Sequence, residues 1–533
     1  VGHDGAMNPS QSGPPPTPIN DKSGTIVRRE LNDRFGVAPL AASHDGHTVH
    51  IMAPVDHGLQ SGGFALVRTG VDGSELVVQM REVQLVERAG PQLDLAIDDG
   101  PLSEAVRSAS VQPRLRSIAG VGTVLGTLDA GAFMPTGTAA PFADQQIRPA
   151  ESADVAAIFA GLDRGAPAIE IGVLHQMPDV PCRLQAKAFA RHTFMCGQSG
   201  SGKTYTTGVL FERLLANTTL PLVVLDPNSD HVHLGSLRDP DDHSEAAESY
   251  RTVASGVQVA RARGFGGAIT LCADFSDLNL EMQALLLRLD PIHDAIEFEN
   301  LRRVTASLVA PFSIEDVVEA AETDPDAAGI VRRIQNLGVA DWDLWRRGDE
   351  PSIADVDVRS QRCVVFDLGS LQRPDERTVV ALALLGRRWS LRGERTPVLI
   401  AIDEAHNVLP AQPANALLAA TTELGILIAG EGRKYGLHLF VATQRPSKVH
   451  ANVVSQCDNL VLMRMNGTAD IEDLTSLFSH VPAALVRESA TFGLGQALVA
   501  GPIAPVPMIA QVGTRLTPEG GADVPTTWAT PPA

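Results

Sequence analysis

Cysteine is scarce: Cys182, Cys196, Cys272, Cys363 and Cys457 lie far apart, mostly inside apolar runs. That spacing offers neither a disulfide framework nor a thiolate metal site, so reduced core thiols are expected. No apolar run reaches the roughly 18 residues that a bilayer-crossing helix needs. No basic segment followed by an apolar stretch opens the chain, so a secretory leader is not expected either. These absences make the cytoplasm the expected compartment and leave no membrane partner. Cationic charge is short as well: 43 Lys and Arg stand against 63 Asp and Glu, a net charge of −20. Nucleic-acid binding is driven by cations that release counterions, so this balance argues against a broad DNA-coated surface. It leaves open a basic pore inside an acidic exterior. Neither an internal repeat nor a nuclease constellation is visible.

What is present is a globular composition, 44% hydrophobic and 20% charged, in a chain of 533 residues. That length exceeds one ordinary core. Residues 1–22 include a Ser/Pro/Gly-rich stretch and read as a disordered tail. Over 23–165, short β-type runs (Thr48–Met52, Phe64–Arg68, Leu76–Glu87) are bounded by Asp45-Gly46 and Asp72-Gly73 turn signals. They predict a small N-terminal β-barrel or sandwich.

Over 166–515 the pattern becomes strand–helix–strand. Apolar runs at Phe194–Cys196, Leu222–Leu225, Cys363–Phe366, Val398–Ile402, Leu437–Ala442 and Leu460–Met463 predict a mainly parallel α/β sheet, with helices supplying the crossovers. A helical insertion is expected at about 236–355, and 516–533 read as a second tail. In the insertion, Met282, Leu285, Leu286 and Leu289 share one helical face. Ser313 with Asp316 forms a capping box, and a further helix starts near Pro325 and stops at Gly338.

Gly197-Gln198-Ser199-Gly200-Ser201-Gly202-Lys203-Thr204 fits the phosphate-binding pattern G-x-x-x-x-G-K-[ST], between an apolar strand and a helical run. Glycines let the backbone curl so that successive N–H groups face phosphate oxygens, and the helix N-terminus adds partial positive charge. Lys203 is expected on the β- and γ-phosphates of ATP and the Thr204 hydroxyl on Mg2+. The strand Val398–Ile402 ends in Asp403-Glu404, where open α/β sheets bind their ligands. Asp403 is the expected Mg2+ holder and Glu404 the base that deprotonates the attacking water. The structural alternative is an acidic pair capping the next helix.

Further segments resemble the HerA branch of the HerA/FtsK family of hexameric motor ATPases. They are Ala190-Arg191-His192, Leu225-Asp226-Pro227, Ile402-Asp403-Glu404-Ala405-His406, Glu431-Gly432-Arg433-Lys434-Tyr435-Gly436-Leu437, Thr443-Gln444-Arg445-Pro446-Ser447, Val454-Ser455-Gln456-Cys457 and Gly495-Gln496-Ala497-Leu498-Val499. The likeness covers roughly 166–510. It implies a RecA-like P-loop NTPase core with a helical insertion behind the N-terminal barrel. It implies Arg433, or Arg191, as an arginine finger acting on an adjacent subunit, Gln444 as a γ-phosphate sensor, and Asp226 near Mg2+. It also implies a homo-hexameric DNA translocase or helicase threading double-stranded DNA through a central pore. Such a ring works with a partner nuclease or a NAD-hydrolase-type effector, in DNA repair or antiviral defence. The alternative is a ring-shaped ATPase scaffold that assembles an antiphage effector with little translocation of its own, and the acidic charge adds weight to it.

Arginine pairs at Arg302-Arg303, Arg332-Arg333, Arg346-Arg347 and Arg387-Arg388 read as solvated helix faces, so no pore residue is named. Asp230, His231 and His233 read as a polar turn rather than a metal corner.

Overall fold

The computed structural model describes residues 37–68, 74–89, 114–163, 167–358 and 360–520. The 1–22 tail, the Asp72-Gly73 turn and residues 521–533 of the second tail lie outside them. The chain divides into two compact units, Val1–Glu151 and Ser152–Ala533.

The first unit holds β1 (Leu40–Ser43), β2 (Thr48–Ala53), β3 (Phe64–Arg68), β4 (Glu75–Ala89), β5 (Arg114–Asp129), β6 (Ala132–Pro135) and β7 (Phe142–Pro149). They pair in the order β2-β1-β7-β3-β4-β5-β6, and β2 also pairs with β5. This closes an antiparallel six-stranded barrel with β6 added on β5. Closure satisfies edge N–H and C=O groups that would otherwise recruit another strand. β2 shows why these residues form a strand wall: Val49, Ile51 and Ala53 point inward and are buried, whereas His50 and Met52 are exposed.

The second unit is built on a 12-stranded sheet. Its strands are β8 (Ala168–Leu174), β9 (Met177–Gln185), β10 (Thr193–Cys196), β11 (Leu222–Asp226), β12 (Val257–Arg261) and β13 (Ile269–Thr270), then β14 (Cys363–Asp367), β15 (Val398–Ile402), β16 (Leu437–Thr443), β17 (Asn459–Leu462), β18 (Gln496–Ala500) and β19 (Met508–Val512). The order is β13-β12-β14-β11-β15-β16-β10-β17-β18-β19-β8-β9. Pairings from β13 to β17 are parallel, and those from β17 to β9 are antiparallel. Every residue of β10, β11, β14, β15 and β16 is buried. Covered on both faces, these strands read as unbroken apolar runs rather than alternating ones. Each fully buried Val, Leu, Ile or Phe contributes roughly 1.5–3 kcal/mol.

The insertion contains helices Leu280–Leu286, Ala295–Ser307, Ile314–Glu322 and Ala328–Leu337. The Ser313/Asp316 capping box is present, and Gly338 closes the last helix. The first of these helices is shorter than its apolar stripe: Arg288 has φ +54°, which ends the turn, although Leu289 stays buried. Most of the arginine pairs are spent within the fold. Arg302 pairs with Glu299, Arg303 with Asp324, Arg333 with Asp294, Arg346 with Asp274 and Arg347 with Asp343. All five cysteines are buried and unpaired. Among the described residues no helix is long and apolar enough to cross a membrane. The start of the second tail is packed rather than loose, with Leu516 and Thr517 buried.

Candidate active site

β10 runs between β16 and β17 and delivers the chain into the Gly197–Gly202 loop. The loop is anchored at both sides of its base. Gly197 N–H donates to the Thr443 carbonyl (3.4 Å) and Gln198 N–H to the Arg464 carbonyl (2.9 Å). Gly200 and Gly202 sit at φ +73° and +90°, a region that side chains with a Cβ avoid. The helix Lys203–Asn217 starts there without a side-chain cap, so its first N–H groups have no acceptor within the helix.

Lys203 is 4% exposed and its Nζ lies 2.5 Å from Asp403 Oδ1 and 3.1 Å from Glu404 Oε1. Burial opposes the charge on Lys203, but the two carboxylates outweigh it and raise its pKa. Burial likewise opposes ionisation of Asp403, yet Lys203 and His231 win and hold its carboxyl below the usual range. Glu404 follows β15 in a left-handed conformation, φ +41°, which costs on the order of 1 kcal/mol for a residue with a Cβ. That twist turns its side chain toward the end of β16. Glu404 Oε2 is 3.3 Å from the Gln444 N–H nitrogen and 3.3 Å from His406 Nδ1. His406 in turn reaches the Thr443 hydroxyl at 3.0 Å.

Asp226 ends β11 and is fully buried, accepting N–H bonds from Asp230 (3.0 Å) and His231 (2.8 Å). Its carboxylate, that of Asp230 and that of Asp403 bring oxygens within 4.8 Å of one another. Burial pushes Asp226 up to about 7 and Asp230 up to about 6, with the Asp403 charge adding to both. Asp403 Oδ2 has no hydrogen-bond partner among the described residues. An unpaired carboxylate oxygen beside two acids that resist ionisation is a donor set suited to a hard divalent cation such as Mg2+.

The structure therefore brings together Lys203, Thr204, Asp226, Asp403, Glu404 and Gln444. It does not bring Arg191 or Arg433 there. Arg433 Nη1 lies 2.6 Å from Asp458 Oδ2, and Arg191 Nη1 lies 3.3 Å from the same oxygen. Arg191 precedes β10 and Arg433 precedes β16, whereas the glycine loop follows the far end of β10. Between them, His192 is fully buried, accepting from Leu439 N–H (2.9 Å) on Nδ1, with Nε2 3.0 Å from the Ala429 carbonyl. This fixes Nε2 as the protonated nitrogen and pins the arginine-bearing segments together. Sequence reasoning set Asp230 and His231 aside as a polar turn, whereas the structure places both beside Asp403; it gave His406 no role of its own and missed Asp458 and Arg464. His231 is buried with Nε2 3.8 Å from Asp403 Oδ2, and Arg464 Nη2 donates to the Gly200 carbonyl at 2.9 Å. An Asp four residues after Asp226, the spacing of a tight polar turn folding back on its first carboxylate, was the one available signal.

Residues 169–385 match the family described as the central domain of helicase HerA. Over those residues the chain is similar to the HerA family of P-loop ATPases. It is 30% identical over 128 residues to the "Probable DNA double-strand break repair helicase HerA" of Methanocaldococcus jannaschii, an alignment covering 24% of this chain and 25% of that one. It is 22% identical over 399 residues to the "DNA double-strand break repair helicase HerA" of Pyrococcus furiosus, covering 65% and 70%. Against the first of these proteins, the HerA-like chain thus spans about a quarter of the relative's length. Among solved structures, VirB4 of Thermoanaerobacter pseudethanolicus aligns with 66% of this chain and 97% of its own, at 16% identity and a TM-score of 0.46.

Proposed function

We propose that this HerA-like chain hydrolyses Mg·ATP at Gly197–Thr204, with Glu404 activating the attacking water. The observation that carries the reading is the convergence of Lys203 on Asp403 and Glu404. An ammonium buried against two carboxylates sits where a triphosphate would compete for it. As the nucleotide binds, Lys203 exchanges carboxylate for β- and γ-phosphate oxygens, which releases Asp403 and Glu404 for their own roles. Magnesium, when bound, would offset phosphate charge; Thr204, Asp403 and Asp226 are the residues to hold it, directly or through its waters. Glu404, oriented by His406 and the Gln444 N–H, takes the proton from water. The Gln444 side chain senses the γ-phosphate.

Arg433 and Arg191 serve a neighbouring subunit. They stand at the opposite end of β10 from their own glycine loop, and four strand residues at about 3.3 Å each separate the two ends. A guanidinium there supports arrival at the γ-phosphate of an adjacent copy, and hence a ring of copies, a homo-hexamer in this proposal. The relatives' printed names, double-strand break repair helicases, support duplex DNA as what the ring acts on; its passage through a central pore and a partner nuclease or NAD-hydrolase-type effector are part of the same proposal. The net charge of −20 favours a second reading, a scaffold ring that assembles an antiphage effector. ATP turnover with and without duplex DNA separates the two. Stimulation that fades as salt rises supports the translocase; a rate indifferent to DNA, with effector activity that needs the ring, supports the scaffold.

A further inference from the structure

Arg515 heads the largest fully buried side chains, at 1% exposure. It follows β19 on a segment that returns across the helix Lys203–Asn217. Its backbone N–H donates to the Tyr205 hydroxyl at 2.7 Å. Its Nη1 donates to the Thr204 carbonyl (3.2 Å), and Nη2 to the carbonyls of Asp230 (3.4 Å) and Pro518 (3.2 Å). Nε reaches the Thr517 hydroxyl at 3.3 Å. Glu212, also fully buried, accepts from Leu516 N–H (2.9 Å), Thr517 N–H (2.8 Å) and the Thr517 hydroxyl (2.6 Å) and lies 4.0 Å from Arg515 Nε. Gly520 N–H donates to the same Asp230 carbonyl at 3.0 Å.

Room for the guanidinium comes from Gly208, where a Cβ would stand 2.5 Å from Arg515 Cζ. Glycine inside a helix costs about 1 kcal/mol against alanine, and a buried guanidinium costs more unless its donors are met. The chain bears both costs where a single side chain joins the Thr204 and Asp230 carbonyls. Thr204 stands on the helix after β10 and Asp230 on the loop after β11. In the sheet those two strands are separated by β15 and β16.

We propose that Arg515 is a positioning residue that braces Thr204 against the Asp230 loop from behind, setting the spacing of the two walls that hold Mg2+. The proposal rests on the Mg·ATP reading above. The side chain touches neither nucleotide nor metal on this assignment. Its effect is on the metal-dependent share of nucleotide binding.

The test compares Arg515→Met and Gly208→Ala with the unaltered chain, using a fluorescent ADP analogue titrated with and without MgCl2, alongside thermal melting. In both variants the Mg2+ concentration for half-maximal nucleotide binding should rise roughly ten- to a hundredfold, the range for removing a partner behind a metal ligand. Binding without Mg2+ should stay within about twofold. Gly208→Ala displaces the same guanidinium without removing its charge, and the melting curves show which variant is folded and can be read. An unchanged Mg2+ requirement in a folded Gly208→Ala variant overturns the brace, as does equal loss of binding with and without Mg2+. If the unaltered chain binds the analogue with no response to Mg2+, the Mg·ATP reading fails first and the brace with it.

Discussion

Arg433 and Asp458 form an ion pair of 2.6 Å, and Arg191 joins the same carboxylate oxygen at 3.3 Å. One acid thus gathers two guanidinium groups where the chain enters the central strands β10, β16 and β17, at the end remote from their own glycine loop. If they act across an interface, Arg433→Ala should bind ATP normally and lose turnover by roughly 10³- to 10⁵-fold, the worth of an arginine finger. Steady-state ATPase assays read this directly. Mixing Arg433→Ala with Glu404→Gln subunits should restore part of the rate, because only mixed interfaces pair an intact base with an intact arginine. No recovery on mixing would return Arg433 to a structural role.

Glu404→Gln keeps the shape of the side chain and its acceptor for the Gln444 N–H, but removes the base. ATP affinity should persist while hydrolysis falls roughly 10²- to 10⁴-fold. Equilibrium binding together with turnover tests this, and a near-normal rate would move the base to another residue.

Lys203→Ala should abolish nucleotide binding and also lower the melting temperature. It strands two buried carboxylates without a cation, an imbalance on the order of 3 kcal/mol. Adding Asp403→Asn to Lys203→Ala should recover melting temperature but not binding. Recovery of neither would mean that the buried pair is not what Lys203 stabilises.

The strands and the glycine loop were legible in the sequence because single local rules produce them. Two covered faces force unbroken apolar runs in β11, β14 and β15, and a phosphate cradle forces glycine at fixed spacing. What the sequence hid is long-range. Asp458 gains meaning only when β17 is set beside β10, and Arg515 only when its segment crosses the helix of Glu212. The Pro/Gly/Thr-rich stretch after 515 reads as a tail because its anchors are backbone N–H groups bonded to Glu212, which leave no pattern in composition. Asp230 and His231 looked like an ordinary polar turn, since the four-residue spacing from Asp226 shows a turn but not that His231 is buried beside Asp403.

His192 carries a pH dependence of stability. Burial, with Arg433 nearby, pulls its pKa down to about 4, against about 6.5 in an unfolded chain. The folded state therefore keeps it neutral while the unfolded state takes up a proton. Its contribution is complete above about pH 6.5 and is lost progressively as pH falls toward about 4. Chemical unfolding between those limits should show proton uptake that His192→Gln reduces by about one. An unaltered slope in that variant would assign the uptake elsewhere.

The most direct measurement is a structure of the Glu404→Gln chain with Mg2+ and ATP. We expect the triphosphate inside the Ser199–Lys203 curl, the Lys203 ammonium moved from Asp403 onto phosphate oxygens, and the metal between Thr204 and Asp403. A nucleotide bound elsewhere, with the Lys203–Asp403 contact still closed, would contradict the assignment of this site and of the motor built on it.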